Sequence, residues 1–556
     1  MPLAGLEHIS PAYGLDHYTL DTPYKRLLEY FTGETPDLSG LGAYTGREVY
    51  EVGYRVDRLS EPLLVNWSVR GENPDIALLD PAERQVLLDL VLKYKVNTHP
   101  FQDRSWQYHY AGIYLIGDPG ISCILTITIQ TAYALYKYAP PEIRGYYKPL
   151  AGLEEPPLWG ATWFTEVQGG SDLGANETRA EPAGDGKWRL TGYKYFSSGA
   201  GLADWAITTA RPPGARRGAK GLALYAVPRI ASDGRLNYRV RRLKWKSGTV
   251  AVPTGEVEYI DTEAYLLGEA EKGIYYTLED LMVSRLSNSI GAMGIARKAY
   301  LEAYGYASIR RAFGKRILEH PLLARDLLES EILIEAGLAV VMKAISTFDK
   351  SWKDTPPYSE AYHYARLLTH IAKNYTADIA ARVSRTAMEV YGGIGFLHEF
   401  PVERWHREAL ITPIWEGTSN IQALDMLEAM YKKNAHNTLL EDMRETVTGL
   451  QDQRTGEAAL EKLEQTLQTL TRDPLAAEWN AKHALTRIAE AIATITLLDA
   501  ADKTGDPTLA ETATLLHQWT TTGNLPMPDK QTINTITSLQ QTLTSIDWND
   551  KTKIKK

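Results

Sequence analysis

Apolar residues recur along this chain at two different spacings, and the change from one spacing to the other divides it. In the first 155 residues the spacing is helical, with long irregular connections. One helix start is well marked there: Asp80 can cap it, Pro81 suits the first helical position, and Glu83 completes a capping-box-like pattern. Val86, Leu87, Leu90 and Val91 then follow on one face. Between about 156 and 272 Gly and Pro recur every few residues, and strand-like runs such as WRLTGYKYF, DWAITTA, GLALYAVP and GEVEYI stand between them. This stretch predicts a β domain.

From Ile274 the helical spacing returns, through Leu286, Ile290, Met293 and Leu301. Gly291, Ala292, Gly294 and Ala296 on the same stretch predict closely packed helices, and further helical runs to about 430 are enough for a bundle of four or five. The last part, 431 to 556, is rich in Thr and Gln and predicts three more helices, on Leu460 to Leu470, Leu485 to Ile495 and Ile536 to Ile546. Thr is a mediocre helix former, so these helices must gain their stability by packing an apolar stripe.

The 556 residues suggest about three or four domains. Lys and Arg number 60 against 69 Asp and Glu, a net charge of −9, which offers no overall attraction to a phosphate backbone and argues against nucleic acid as partner. The single cysteine, Cys123, excludes an internal disulfide and a thiolate metal cluster. The start lacks the basic and apolar regions of a secretion signal, and the most apolar stretch is interrupted by Asp118, Pro119 and Gln130. A cytoplasmic protein without a membrane anchor is the expectation.

No G-x-G-x-x-G joins a strand to a helix and no G-x-x-x-x-G-K-[ST] occurs, so a bound nucleotide would need some other fold. His363 and His370 sit seven apart on one helical run and read as ordinary packed or surface imidazoles; no metal site is expected. Three segments carry candidate chemistry instead. Thr165-Glu166-Val167-Gln168-Gly169-Gly170-Ser171-Asp172 follows a strand-like run, and its turn could present N–H groups and hydroxyls to an anionic or carbonyl-rich ligand, or be a plain β-turn. Tyr391-Gly392-Gly393-Ile394-Gly395-Phe396 ends a helical run, where it could admit a phosphate or serve as a helix C-cap. Ile414-Trp415-Glu416-Gly417-Thr418-Ser419-Asn420 sets a carboxylate in an apolar context just before a helix, which suits either a general base or a capping residue.

Taken in this order and spacing, TEVQGGSD (165 to 172), KYFSSG (194 to 199), ADWAI (203 to 207), SIRRAFGK (308 to 315), EVYGGIGF (389 to 396) and WEGTSNI (415 to 421) resemble the acyl-CoA dehydrogenase family. FTEVQGGSDLGANETRA, MEVYGGIGF, PIWEGTSNI and the helical extension carry a closer resemblance to its AidB-like (alkylation-response) branch and related archaeal members. The resemblance implies an α+β fold: an N-terminal α domain (1 to 155), a middle β-barrel domain (156 to 272), a C-terminal helical bundle (273 to 430) and, here, a helical extension (431 to 556). It implies FAD between the β domain and the bundle, a homotetramer whose subunits complete each other's cofactor sites, an acyl-CoA substrate, and electron-transfer flavoprotein as acceptor.

By the family's motifs, Thr165 and the Phe164 backbone would bind the flavin ring, with Phe196 and Ser197 beside it. Ser171 would contact phosphate or pantetheine, and Arg285 and Gly417 would lie against the acyl-CoA. Arg310 and Phe313 would meet the dinucleotide of a partner subunit, Gly393 would admit the pyrophosphate, and Thr418 and Asn420 would close the cofactor site. Glu389 stands where the family often has Gln, and a carboxylate cannot donate to the dinucleotide unless protonated. Some members carry the base on another helix at the position matching Ser284; serine cannot replace it, so Glu416 is the candidate base. Its backbone N–H with a ribityl hydroxyl would then hold the enolate oxygen, and FAD would accept the hydride.

Two other readings compete. One is an AidB-like flavoprotein that binds DNA through its extension, against which stand the 14 Lys and Arg facing 17 Asp and Glu in 431 to 556. The other is a flavin oxidase acting on a substrate other than a CoA ester, where the base is often an Asp.

Overall fold

The computed structural model describes residues 10–528 and 532–548. The N-terminal nonapeptide and the lysines of the terminal KTKIKK lie outside them. The described chain divides into two compact bodies, one built from residues 51–104 and 118–287, the other from the N-terminal stretch to residue 50, residues 105–117, and 288 onward. The first 155 residues are thus shared between the two.

The first body is organised by a seven-stranded sheet of β1 (Gly160–Trp163), β2 (Arg179–Gly184), β3 (Lys187–Ser198), β4 (Trp205–Ala210), β5 (Ala223–Pro228), β6 (Arg239–Leu243) and β7 (Thr254–Leu266). The order is β1-β4-β5-β7-β3-β2, with β6 also paired to β7. Only β1 and β4 run parallel among these ladders. Just beyond β4, the Arg211 carbonyl accepts the Ala180 N–H at 3.0 Å, so the β2 edge returns to the other side of the sheet and the structure curls toward a barrel.

All four strand-like runs singled out from sequence lie on these strands. Residues of this sheet and its connections, among them Trp163, Leu190, Tyr225, Tyr238, Val240, Val257 and Tyr259, form one buried core. The helix Pro119–Tyr138 lies on β1, where the Gly160 N–H donates to the Thr128 hydroxyl at 3.1 Å and the Thr131 hydroxyl donates to the Ala161 carbonyl at 3.1 Å. The Pro81–Leu88 helix begins with the expected Asp80 cap, whose carboxylate accepts from the Ala82 N–H at 2.8 Å, but Glu83 does not complete a capping box. Burial, with Asp118 and Asp80 close by, pushes the Glu83 carboxyl up to about 8.

The second body is helical. Its long helices are Pro321–Ser351, Glu360–Tyr391, Ser419–Lys433 and Pro474–Thr504, joined by the later turns of Gly273–Ile309. Small residues do set the packing of that last helix, since a Cβ on Gly294 would stand 2.3 Å from the Tyr114 carbonyl oxygen. Residues 431 onward form five helices among the described residues: Ala435–Thr448, Arg454–Arg472, Pro474–Thr504, Pro507–Thr522 and Ser538–Thr544. They are tied to the rest of the helical body by polar bonds as well as by apolar stripes. Lys343 pairs with Asp442 at 2.7 Å, the Tyr364 hydroxyl donates to the same carboxylate, and the Tyr30 hydroxyl donates to Asp499.

Candidate active site

In the helical body the Glu416 segment is a turn between Pro401–Leu410 and Ser419–Lys433. Glu416 itself takes a left-handed backbone, φ +57°, followed by Gly417 at φ +94°. A non-glycine residue held there costs on the order of 1 kcal/mol or more and persists only where its surroundings enforce it. Three buried side chains do so. Gln422 Nε2 donates to the carbonyls of Glu416 and Gly417, each at 3.0 Å, and Lys373 Nζ donates to Gly417 O at 2.7 Å. His370 Nδ1 lies 2.9 Å from Gln422 Oε1. Trp415 is anchored separately, its indole N–H donating to the Asn288 side chain. Glu416 is half-buried.

On the same body Gly392 and Gly393 follow the end of the Glu360–Tyr391 helix, exposed, with open space where a Cβ would stand. Tyr391 fixes this end: its hydroxyl donates to Glu302 at 3.1 Å and its ring stacks on Tyr306 at 4.2 Å. Arg310 is exposed, and Phe313, at φ +51°, is 96% exposed. Thr418 and Asn420 are exposed at the start of Ser419–Lys433, and the Thr418 side chain makes no capping bond. Glu389 is exposed and ion-paired to Arg385 one turn earlier on its own helix.

The sheet body carries the remaining candidates. Phe164 is buried, its carbonyl accepting the Asn176 side-chain amide at 2.7 Å. Thr165 is half-buried, and its carbonyl takes the Tyr195 N–H at 2.9 Å, joining the TEVQGGSD turn to β3. Ser171 is exposed. Phe196 is 55% exposed beside Tyr195, and the Lys244 ammonium lies 3.2 Å from the Tyr195 ring centroid and 5.0 Å from that of Phe196. Ser284 and Arg285 are both buried; the Ser284 hydroxyl donates to the Leu281 carbonyl at 3.2 Å.

Ser197 does not share the face of Phe196: it is fully buried and its hydroxyl has no hydrogen-bond partner among the described residues. The cause is a bulge between Lys194 and Ser197, where three steps along β3 match two along β7. The extra residue puts Tyr195 and Phe196 both outward and turns Ser197 in.

Sequence alone assigns no role to Gln422 and Lys373, takes His370 for an ordinary packed or surface imidazole, and leaves unnoticed the buried pair of Glu166 and Lys194, whose charged atoms are 2.8 Å apart. A charge inside each of two strand-like motifs was the available signal for the pair. The other three are brought together only by the tertiary fold.

Residues 161–262 match the model of the acyl-CoA dehydrogenase middle domain, and residues 271–431 that of the acyl-CoA dehydrogenase C-terminal domain. The chain carries two acyl-CoA dehydrogenase family domains. It is 29% identical to AidB of Escherichia coli strain K12 over 77% of this chain and 80% of that one. It is 27% identical to acyl-CoA dehydrogenase family member 11 of Caenorhabditis elegans over 75% of this chain and 70% of that one. The crystal structure of Caenorhabditis elegans ACDH-11 in complex with C11-CoA superposes with a TM-score of 0.81 at 23% identity, covering 93% of this chain and 92% of that one, a likeness of fold. The enzymes of the acyl-CoA dehydrogenase family are FAD-dependent oxidoreductases of the CH–CH bond, so the two domains imply FAD and an acyl-CoA thioester substrate. Among the described residues no helix is long and apolar enough to cross a membrane.

The residues of the helical body fit parts of a dinucleotide: Gly392 and Gly393 leave room for a phosphate against the backbone, Arg310 offers a guanidinium and Phe313 an exposed ring face. On the sheet body, taken by itself, Phe196 offers an exposed ring face.

Proposed function

We propose that the protein dehydrogenates an acyl-CoA thioester at its α and β carbons with Glu416 as general base. The observation that carries this reading is the left-handed turn at Glu416, a strained backbone held by Gln422 and Lys373 within the family's own C-terminal domain. Strain of this kind on a carboxylate has a use if the carboxylate must be aimed at one bond.

Glu416 takes the proton from Cα onto a carboxylate oxygen. The electron pair of that bond moves toward the thioester carbonyl, whose oxygen would accept a hydrogen bond from the Glu416 N–H. FAD, when bound, supplies the acceptor for the hydride that leaves Cβ. Phe164, Thr165 and Phe196 on the sheet body, and Gly393, Thr418 and Asn420 on the helical body, are the residues that would hold it, while Arg310 and Phe313 would meet the dinucleotide of a partner subunit. Ser171, Arg285 and Gly417 would meet the acyl-CoA. Glu389 is excluded as a donor to the dinucleotide while it is ionised.

A homotetramer, an electron-transfer flavoprotein acceptor and a cytoplasmic location complete the reading. It is tested by anaerobic titration of the flavin-loaded protein with acyl-CoAs of several chain lengths. Bleaching by one of them is expected, and Glu416→Gln should keep the flavin and abolish bleaching. No bleaching by any thioester would defeat the reading. Peroxide formed in step with turnover would favour an oxidase. A salt-dependent shift of duplex DNA would favour the AidB-like alternative, to which the extension brings more acidic than basic residues.

A further inference from the structure

We propose that Gln422 and Lys373 are positioning residues that aim the Glu416 carboxylate for proton abstraction, and that His370 orients Gln422 for this task. The proposal rests on Glu416 being the base.

The argument begins with which groups are bonded. A helix start ordinarily needs acceptors for its orphan N–H groups, and a capping side chain supplies one. Here Thr418, in the capping position of Ser419–Lys433, makes no side-chain capping bond. The buried donors of Gln422 and Lys373 go instead to the two carbonyls that precede the helix. What these side chains hold is the turn, not the helix end.

The two carbonyls belong to consecutive peptide planes. A single amide nitrogen 3.0 Å from both fixes their relative rotation, which is φ and ψ of Gly417, and anchors the carbonyl end of Glu416. The left-handed Glu416 is therefore held from its C-terminal side. Lys373 adds a charge-assisted bond to the second carbonyl from the neighbouring Glu360–Tyr391 helix, and both Gln422 and Lys373 are fully buried.

The polarity of the network follows from its ends. Carbonyl oxygens only accept, so the Gln422 nitrogen must face them and its Oε1 must face His370. His370 Nδ1 then carries the proton, and its Nε2 points toward Asp425, 3.9 Å from Oδ2. The direction runs from the His370 ring to the backbone of the base without a break.

The test is rapid-reaction anaerobic reduction of the flavin-loaded protein by an acyl-CoA that bleaches it, protonated or deuterated at Cα. Gln422→Leu should slow flavin reduction about 100-fold and enlarge the α-deuterium isotope effect, since a misaimed base penalises that one bond. Flavin content should be unchanged and the dissociation constant for acyl-CoA within about threefold, because neither is held by Gln422. Lys373→Met should slow reduction about tenfold. His370→Phe should behave like Gln422→Leu, while His370→Asn, which restores an N–H near the Nδ1 position, should recover most of the rate.

Unchanged reduction rates in Gln422→Leu and His370→Phe would overturn the proposal. So would a loss that appears only as missing flavin or weaker acyl-CoA binding. Glu416→Gln, measured alongside, separates the two levels: if it still reduces the flavin, the base assignment is wrong. If it is inactive while the Gln422 and His370 variants are unimpaired, only the positioning role is.

Discussion

Glu166 and Lys194 meet at 2.8 Å in the interior of the sheet body, and their ion pair joins the TEVQGGSD turn to the strand that presents Phe196. The rest of their bonding is nearly complete. Glu166 also accepts from the Thr178 hydroxyl at 2.6 Å and the Glu177 N–H at 2.7 Å, and Lys194 donates to the Thr209 carbonyl at 2.9 Å. Burial works to raise the Glu166 carboxyl, but Lys194 and these hydrogen bonds outweigh it and hold the group below its ordinary value. Replacing Lys194 by Met leaves that carboxylate buried and unpaired, at a cost of about 3–5 kcal/mol. Chemical denaturation should show this loss, and Glu166→Gln/Lys194→Met should lose less than the sum of the single changes. Additive losses would mean that the two groups do not act as a pair.

The inward turn of Ser197 gives a contrast within two neighbouring residues. A buried hydroxyl without a partner costs about 1–3 kcal/mol of desolvation, so Ser197→Ala should be neutral or stabilising by up to about 1 kcal/mol and should leave flavin affinity unchanged. Phe196→Ala removes an exposed ring and should weaken flavin binding at little cost in stability. Thermal denaturation together with flavin titration of both variants checks the pair of outcomes.

Gly393 offers a cleaner separation of folding from binding. Nothing stands within 4 Å of the position its Cβ would occupy, so Gly393→Val should fold with a stability change under about 1 kcal/mol. The added methyl groups fill the space a phosphate would need. Flavin content after purification should fall several-fold, and an unchanged content would remove Gly393 from the cofactor site.

How far the sequence foretold these results depends on where the partners of each residue lie. The Trp415-Glu416-Gly417 segment was legible because its chemistry is contiguous. The support behind it was not, since Lys373 and Gln422 are 49 positions apart and His370 carries no mark that distinguishes it from an ordinary packed imidazole. The strand runs were legible from their composition and the Gly and Pro between them, yet the inward turn of Ser197 was not, because a bulge is a property of two paired strands. In the extension the stripe from Ile536 to Ile546 yields only the helix Ser538–Thr544. Pro507–Thr522 escaped notice because its buried face is built of Leu509, Thr512, Ala513 and Leu516, too polar and small to stand out as an apolar period.

Glu302 makes stability depend on pH near neutrality. Its carboxyl is fully buried and accepts from Ser10 at 2.5 Å, from Tyr391 at 3.1 Å and from Tyr50. Burial raises it from 4.5 to about 7, against the opposing pull of these three hydroxyls. The folded protein therefore holds a proton that the unfolded chain has released between those two values. Because the native state binds more protons in that window, stability falls as the pH rises from about 4.5 to about 7 and then levels off. The contribution is on the order of 3 kcal/mol, at about 1.4 kcal/mol for each pH unit of the shift. Glu302→Gln removes the titration while keeping an acceptor oxygen, so the stability difference between wild type and variant should change across this window, with wild type losing ground toward neutral pH. Denaturation midpoints at pH 5 and pH 8 measure it. A difference independent of pH would show that Glu302 is ionised throughout, and that the hydroxyls of Ser10, Tyr50 and Tyr391 offset its burial in full.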